Sequence, residues 1–331
     1  MKSLILAGGF GTRLRPLTDR VPKSLLPICN RPFLEHQLRL LAAHGITDTT
    51  LLTGYLAEDF APFAQQMRAL LGAELHVSTE EKPLGTAGAV RSRLDDLDGT
   101  TIVLNGDVLT DLDLSAAVAF HREKGAAVTI VLTPVEDARP YGLVPLDASN
   151  RVEAFLEKPK ELVAGQINAG TYVLEPSVLQ EVPPDEFWQF EQQLFPSLLA
   201  QGVPVFGYVS DSYWLDIGTP ERYLQAHFDV LSGRAHATVD GTVVTQRQEL
   251  SDGSTIEPPV LLSHAPVGPG ATLGPLTSIG PASHIGARAT LERSVIHAGA
   301  AIGEGAVLRN TIVGRDALVE PGATLDGAVI A

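Results

Sequence analysis

From Ile256 onward, apolar residues recur every five or six positions, and that rhythm admits very few folds. Leu273, Ile279, Ile285 and Leu291 are six apart, and glycine follows directly at Gly274, Gly280 and Gly286. Ile296, Ile302, Leu308, Val313, Val319 and Leu325 continue the series, so Leu291, Leu308 and Leu325 repeat at an interval of 17 residues. Small residues fill the spaces, as in IGPASHIGARATL. A flexible linker does not hold apolar residues in phase. Hexapeptide steps do so in a parallel β-helix, where each triangular coil takes about three of them and turns one apolar side chain inward per face. Residues 255–331 are therefore expected to form such a helix of about four coils.

The first 233 residues follow another pattern. Apolar runs at Lys2–Ala7, Thr49–Thr53, Leu75–Ser78, Thr100–Leu104 and Ala127–Leu132 read as strands. Helical spacing at Arg31–His44, Asp59–Leu71, Thr86–Leu94 and Leu114–Lys124 falls between them. That alternation predicts an α/β domain with a Rossmann-like, mostly parallel sheet, which binds ligands beyond the carboxyl ends of its strands. Thr171–Leu174 and Val203–Tyr208 are further strand candidates, and Pro220–Leu231 reads as a helix. Residues 234–254 are polar and turn-rich and serve as the linker between domains 1–233 and 255–331.

Charge and cysteine content exclude several classes. The chain has 24 Lys+Arg against 39 Asp+Glu, a net charge of −15, so no basic excess exists to neutralise a nucleic-acid backbone. The single cysteine, Cys29, rules out a disulfide framework and a Cys-rich zinc site. No signal-peptide core or membrane-spanning run is present, and the expected location is the cytoplasm.

The candidate chemistry begins at the first strand. Leu6-Ala7-Gly8-Gly9-Phe10-Gly11-Thr12-Arg13 continues into Leu14-Arg15-Pro16. Glycines let several N–H groups converge on one anion, and arginines grip phosphate oxygens. The loop is not a P-loop, because no Gly-Lys-Ser/Thr is present, and not a dinucleotide fingerprint, because Leu14 occupies the third glycine position.

This loop and the VPKSLLPICNRPFLEHQL that follows resemble the sugar-1-phosphate nucleotidyltransferases, and within them most closely the mannose-1-phosphate guanylyltransferases. EEKPLGTAGAV (80–90), LNGD (104–107), YGLV (141–144), EKP (157–159), NAGTY (168–172) and WLDIGTP (214–220) extend the resemblance along nearly the whole chain. It implies a nucleotide-diphospho-sugar transferase fold, followed by a left-handed form of the parallel β-helix. The implied reaction is attack of a sugar-1-phosphate oxygen on the α-phosphorus of a nucleoside triphosphate, with loss of pyrophosphate. Both partners are anions, so cations, a metal and in-line positioning are needed, and no catalytic His or Cys is required.

The resemblance implies a role for each matching residue. Leu6, Ala7, Gly8, Gly9, Gly11, Thr12, Gly85 and Thr86 line the nucleotide. Arg13 holds the triphosphate, Lys23 neutralises the transferring phosphoryl group, and Lys158 holds the phosphate of the sugar phosphate. Asp107 and Asp216 hold Mg²⁺, a cation that prefers carboxylate oxygens. Tyr141, Gly142, Glu157 and Asn168 contact the sugar, with Trp214 packed beside them or in the core. The family's usual Pro-Lys-Pro is Pro22-Lys23-Ser24 here, which keeps the lysine. Asp111 and Asp113 are read as surface or capping residues.

Thymidylyl- and uridylyltransferases of the wider family place a glutamine five residues before the glycine of the Leu-Gly-Thr-Ala segment, where this chain has Glu80. Guanine presents adjacent N1–H and N2–H₂ donors, which suit an acceptor-only carboxylate. GTP is therefore expected, with Glu80 or Glu81 as base reader, unless Glu80 is a solvated loop residue. The alternatives are a glucose-1-phosphate thymidylyl- or uridylyltransferase and a non-catalytic regulatory subunit. Arg13, Lys23, Asp107, Lys158 and Asp216 are all present, which disfavours the latter. A bifunctional enzyme with an acyltransferase tail is a third possibility; the tail is read instead as an oligomerisation module, giving a homo-oligomer.

Overall fold

The structure is a computed structural model that describes residues 1–157, 161 and 163–331, with the backbone alone at Glu157. Two compact units divide the chain: Met1–Gly9 with Gln37–Trp214, and Phe10–His36 with Leu215–Ala331.

The first unit is built on a nine-stranded mixed sheet. Its strands are β1 (Lys2–Leu6), β2 (Asp48–Thr53), β3 (Glu74–Thr79), β4 (Thr101–Asn105), β5 (Val128–Val135), β6 (Gly142–Leu143), β7 (Leu156–Glu157), β8 (Gly165–Leu174) and β9 (Val205–Val209). The apolar runs of β1 and β4 are buried, which suits central strands covered on both faces. β1 lies between β2 and β4 and is parallel to both, so the chain leaves β1 toward one side of the sheet and returns on the other. That reversal is where open α/β sheets form a ligand crevice.

Helices α1 (Phe33–Ala43), α2 (Phe60–Leu71), α3 (Gly85–Arg91) and α4 (Leu114–Lys124) occupy the expected connections. Asp113 caps α4, its Oδ1 accepting the Ala116 amide at 2.9 Å, as its position ahead of the helix suggests.

β8 departs most from the sequence expectation. It begins at Gly165 rather than Thr171 and runs antiparallel to β4 and β5. Its first half, Gly165-Gln166-Ile167-Asn168-Ala169-Gly170, lacks an apolar alternation because a β-bulge interrupts the pairing with β5 between Asn168 and Tyr172. Behind the bulge, Tyr172, Phe190 and Phe195 pack ring on ring at centroid distances of 4.9–5.3 Å. Phe190 opens a short π-helix, Phe190–Leu194, that the sequence reading missed.

The second unit joins the loop after Phe10, helix α5 (Pro220–Leu231) and the β-helix. Parallel strands stack on three faces. Leu273, Leu291, Leu308 and Leu325 are in register on one face. Ile279, Ile296, Val313 and Ile330 share the second, and Ile285, Ile302 and Val319 the third. The hexapeptide phase of the sequence thus becomes three buried stripes. Thr242–Val244 and Gln248–Glu249 pair antiparallel with strands of the first coil.

A buried polar relay ties the loop to the β-helix within this unit. The Pro27 carbonyl accepts from the Tyr223 hydroxyl and from His227 Nε2, the latter at 3.1 Å. His227 Nδ1 accepts the Cys29 amide at 3.3 Å, and His297 Nε2 lies 2.9 Å from the Tyr223 oxygen. Tyr223 has only one proton, given to Pro27, so His297 must donate through Nε2. Burial lowers the His227 pKa to about 3 and that of His297 to about 4. Nearby positive charge adds to the effect, from His297 on His227 and from Arg315 on His297.

Both folded-state values lie below the unfolded value near 6.5, so below that pH the unfolded chain takes up protons the folded chain refuses. Stability is therefore fully present above pH 6.5 and is lost as the pH falls toward 4 and then 3, by several kcal/mol in all. We expect denaturation midpoints to fall already between pH 6.5 and 5.5, above the carboxylate range. A flat profile there would contradict the neutral-histidine assignment.

Candidate active site

In the first unit, the carboxyl ends of four parallel strands bring the sequence motifs together. β1 delivers Leu6, Ala7, Gly8 and Gly9; β3 leads into Glu80; β4 leads into Asp107. The Ala7 amide donates to Leu52 O and the Gly106 amide to Leu6 O, at 2.8 and 2.9 Å, which fixes the glycine loop against both flanking strand ends. A Cβ added at Gly106 would lie 2.5 Å from Leu6 O, so only glycine lets the Asp107 turn approach β1 this closely.

Gln37, on α1 and 3% exposed, straps the same turn. Its amide nitrogen donates to Asn105 O at 2.8 Å and Val108 O at 3.0 Å, the carbonyls on either side of Asp107. The sequence reading missed this residue; its signal was a polar side chain on an otherwise apolar helix face.

The residues expected to contact the sugar meet on adjacent strands. Gly142 on β6 pairs with Glu157 on β7, and Leu143 with Ile167, next to Asn168 on β8. Trp214 Nε1 donates to Ala169 O at 2.9 Å, and its ring stands edge-on to Tyr141 at 5.5 Å. Trp214 therefore braces the Tyr141 side of the bulge. Asn168 is engaged by protein partners: its Oδ1 accepts the Gly170 amide, and Nδ2 donates to Tyr172 Oη and Glu191 Oε1. Both of its N–H groups are committed, so Asn168 shapes the bulge and has no further proton to offer a sugar hydroxyl in this arrangement. Glu191, supplied by the π-helix, was missed because nothing in the local sequence marks that helix. The side chain of Glu157 and all of Lys158 lie outside the described residues.

Glu80 is half-buried, and desolvation pushes its carboxyl pKa upward against the Leu84 amide, which donates to Oε2 at 3.3 Å. It braces the turn into α3 while keeping its second oxygen. Gly85 and Thr86 hold the 186–190 segment: a Cβ at Gly85 would meet Trp188 O at 2.5 Å, and Thr86 Oγ1 accepts the Phe190 amide at 2.9 Å. Their contacts in this structure are with protein.

The second unit carries the cationic residues. Gly11 has φ of 60°, which glycine adopts freely, and a Cβ there would meet Lys23 Cβ at 2.9 Å. Thr18 Oγ1 donates to Gly11 O at 2.9 Å. The turn holding Thr12 and Arg13 is thereby pressed onto the turn holding Lys23. Lys23 Nζ is 3.9 Å from Asp216 Oδ1, and Arg222 donates to Asp216 Oδ2 at 3.2 Å. A Cβ on Gly218 would fall 2.6 Å from Arg13 Nη2 and 2.7 Å from Asp216 Oδ1, so the Asp-Ile-Gly glycine is what leaves room for both. Arg222, also missed from sequence, sits two residues into α5.

Asp216 Oδ1 is buried and makes no hydrogen bond among the described residues. A buried carboxylate oxygen left in this state fits a hard divalent cation, whose ligands are oxygens. Asp48, Glu74 and His76 form another group with metal-ligand spacing, largely exposed, at the amino ends of β2 and β3. That is the end of the sheet away from the glycine loop and Asp107.

Comparison with known proteins places these features in a family. Residues 2–233 match the nucleotidyl transferase family model, and residues 255–331 match the GMPPB C-terminal domain. The mannose-1-phosphate guanylyltransferase of Mycobacterium tuberculosis is 40% identical over 99% of this chain and 79% of its own length. The mannose-1-phosphate guanyltransferase of Pichia angusta is 37% identical over 100% of this chain and 90% of its own. Among solved structures, HddC from Yersinia pseudotuberculosis superposes with a TM-score of 0.61 at 28% identity, covering 68% of this chain and 97% of that one. HddC has also been solved in complex with GMP-PN. No helix among the described residues is long and apolar enough to cross a membrane.

Proposed function

Because this chain belongs to the nucleotidyl transferase family, we propose that it transfers a guanylyl group from GTP to mannose 1-phosphate, forming GDP-mannose and releasing pyrophosphate. The observation that carries this reading is the full-length similarity to mannose-1-phosphate guanylyltransferases, across both the catalytic and the C-terminal segments. A phosphate oxygen of the sugar phosphate forms the new bond to the α-phosphorus, and the bond to the bridging oxygen of pyrophosphate breaks. No proton need be removed, since the nucleophile is already an anion.

The residues then divide the work. The glycine loop offers backbone N–H groups to the triphosphate. Arg13 binds the departing pyrophosphate, and Lys23 offsets charge at the transferring phosphoryl group. Lys158 holds the sugar phosphate, and Tyr141, Gly142, Glu157 and Asn168 form or shape the sugar subsite. Asp107 and Asp216 are the proposed ligands of Mg²⁺. When bound, the cation supplies charge neutralisation of the phosphates. Lys23 and Arg222, both close to Asp216, orient that carboxylate.

The first experiment is pyrophosphate release by the purified chain with Mg²⁺ and mannose 1-phosphate, across GTP, UTP, dTTP, CTP and ATP. Release with GTP alone supports the reading; release mainly with dTTP or UTP overturns the choice of base. Glu80→Gln tests the base reader directly. Glutamine still offers an oxygen to the Leu84 amide, so the turn persists, but it can no longer accept from both guanine donors. We expect the preference for GTP over UTP to fall by about tenfold, the worth of one charged hydrogen bond. An unchanged ratio would remove Glu80 from this role.

The same reading divides the chain into a catalytic domain (1–233), a linker and the β-helix (255–331), places it in the cytoplasm and makes it a homo-oligomer through the β-helix. A monomer mass by light scattering would exclude the homo-oligomer.

A further inference from the structure

The second unit contains a cavity of about 500 Å³ that the proposed reaction does not use. One wall is the loop after the Arg13 turn; the other is made by corners of the β-helix coils. That volume falls within the range of small-molecule sites. Its chemistry is divided. Arg20 and Arg315, both exposed, have no ion pair or hydrogen bond among the described residues. The neighbouring carboxylate Asp19 is already taken by Arg15 at 3.0 Å. The cavity therefore presents two uncommitted guanidinium groups, which suit the oxygens of a phosphate.

Acceptors complete the lining. His297 is 5% exposed and gives its Nε2 proton to Tyr223, which leaves Nδ1 without a hydrogen-bond partner among the described residues. Asp316 adds a carboxylate. Asn30 contributes no further proton, because its Nδ2 donates to Asp240 O and Ile279 O. Guanidinium groups together with acceptor-only groups match a ligand that has a phosphate and hydroxyl donors. A bare anion would gain nothing from His297 Nδ1 or Asp316.

The cavity also touches the loop that carries Lys23. Leu25, Leu26 and Pro27 line it, and the Leu26 amide donates to Lys23 O at 3.2 Å. Pro27 is held from behind by Tyr223 and His227, and Tyr223 is held by His297 on the opposite wall. Shifting this wall would shift the turn that positions Lys23.

We propose that this cavity binds a small phosphate ester bearing free hydroxyl groups, and that its occupancy changes the reaction rate through the Lys23 loop. The regulatory half rests on the function proposed above; the binding half stands without it.

The test is calorimetric titration of the full chain with glucose 6-phosphate, glycerol 3-phosphate and inorganic phosphate, in the wild type, in Arg20→Ala/Arg315→Ala and in Lys23→Ala. The two arginines are exposed, so their loss should leave the fold and the basal rate intact. We expect saturable binding of at least one ester in the wild type and in Lys23→Ala, weakened about tenfold or more in the double arginine variant. The bound ester should change the guanylyltransferase rate of the wild type and not that of the double variant.

Absence of ester binding up to about 10 mM, or binding that survives loss of both arginines, would overturn the site. Inorganic phosphate binding as tightly as the esters would overturn the hydroxyl-bearing ligand. Arginine-dependent binding in a chain without transferase activity would sink the functional reading and leave the site standing. Full activity with no ester binding would do the reverse.

Discussion

Asp216→Asn is expected to lower kcat by roughly 1,000-fold while the protein stays folded and still binds GTP. The expectation follows from the state of the carboxylate. Oδ2 accepts from Arg222, but Oδ1 is buried, has no hydrogen bond among the described residues and lies beyond hydrogen-bond distance of Lys23 Nζ. Leaving a buried anionic oxygen in this state costs stability unless a cation completes it. Asparagine keeps the shape and removes the charge, so the folded state should lose little. The loss should fall on the rate, because charge that stabilises a developing transition state is typically worth about 100- to 1,000-fold in kcat. The measurement is kcat and the Mg²⁺ concentration for half-maximal rate, alongside a thermal melt. A variant within tenfold of wild type would remove Asp216 from the metal site.

Gly106→Ala is expected to have the second largest effect, through geometry alone. The new Cβ would lie 2.5 Å from Leu6 O and 3.4 Å from Ala7 Cα, backbone atoms at the centre of the sheet that cannot rotate away. Either β1 or the Asp107 turn must move, which overpacks the core at a cost of about 1–3 kcal/mol. It also stretches the 2.9 Å bond from the Gly106 amide to Leu6 O. A displacement near 1 Å at a positioning residue is worth about 100-fold in rate, and we expect kcat/KM to fall by at least that much. Gly99→Ala is the control, since a Cβ there meets nothing within 4 Å. A folded Gly106→Ala protein with rates within threefold of the control would show that this close approach does not set the site.

Much of the fold was legible because its elements announce themselves locally. Leu114–Lys124 and Pro220–Leu231, read from the sequence as helices, coincide with the helices found. The hexapeptide phase predicted all three faces of the β-helix, since every inward position must be apolar or small. β8 was half hidden because a bulge breaks the alternation on which strand recognition depends. The π-helix was invisible because Phe190-Glu191-Gln192-Gln193-Leu194 carries no period that distinguishes it from coil.

The glycine loop stood out in the sequence by its residue types, and the other motif residues were singled out by the family resemblance that their order carries. The supporting residues could not be picked out in either way. Gln37 is 68 residues from the carbonyl it holds, and Glu191 is 23 from Asn168.

The sequence by itself determined the two architectures and pointed to residues whose chemistry suits phosphate, because periodicity and side-chain chemistry are local properties of a chain. Tertiary structure alone decided which of those residues have protons and lone pairs left to give. It committed Asn168 to Tyr172 and Glu191, set Glu80 against the Leu84 amide, and left Asp216 Oδ1 without a donor. A hydrogen bond depends on distance and direction between groups far apart in the chain, and only the packed fold fixes these.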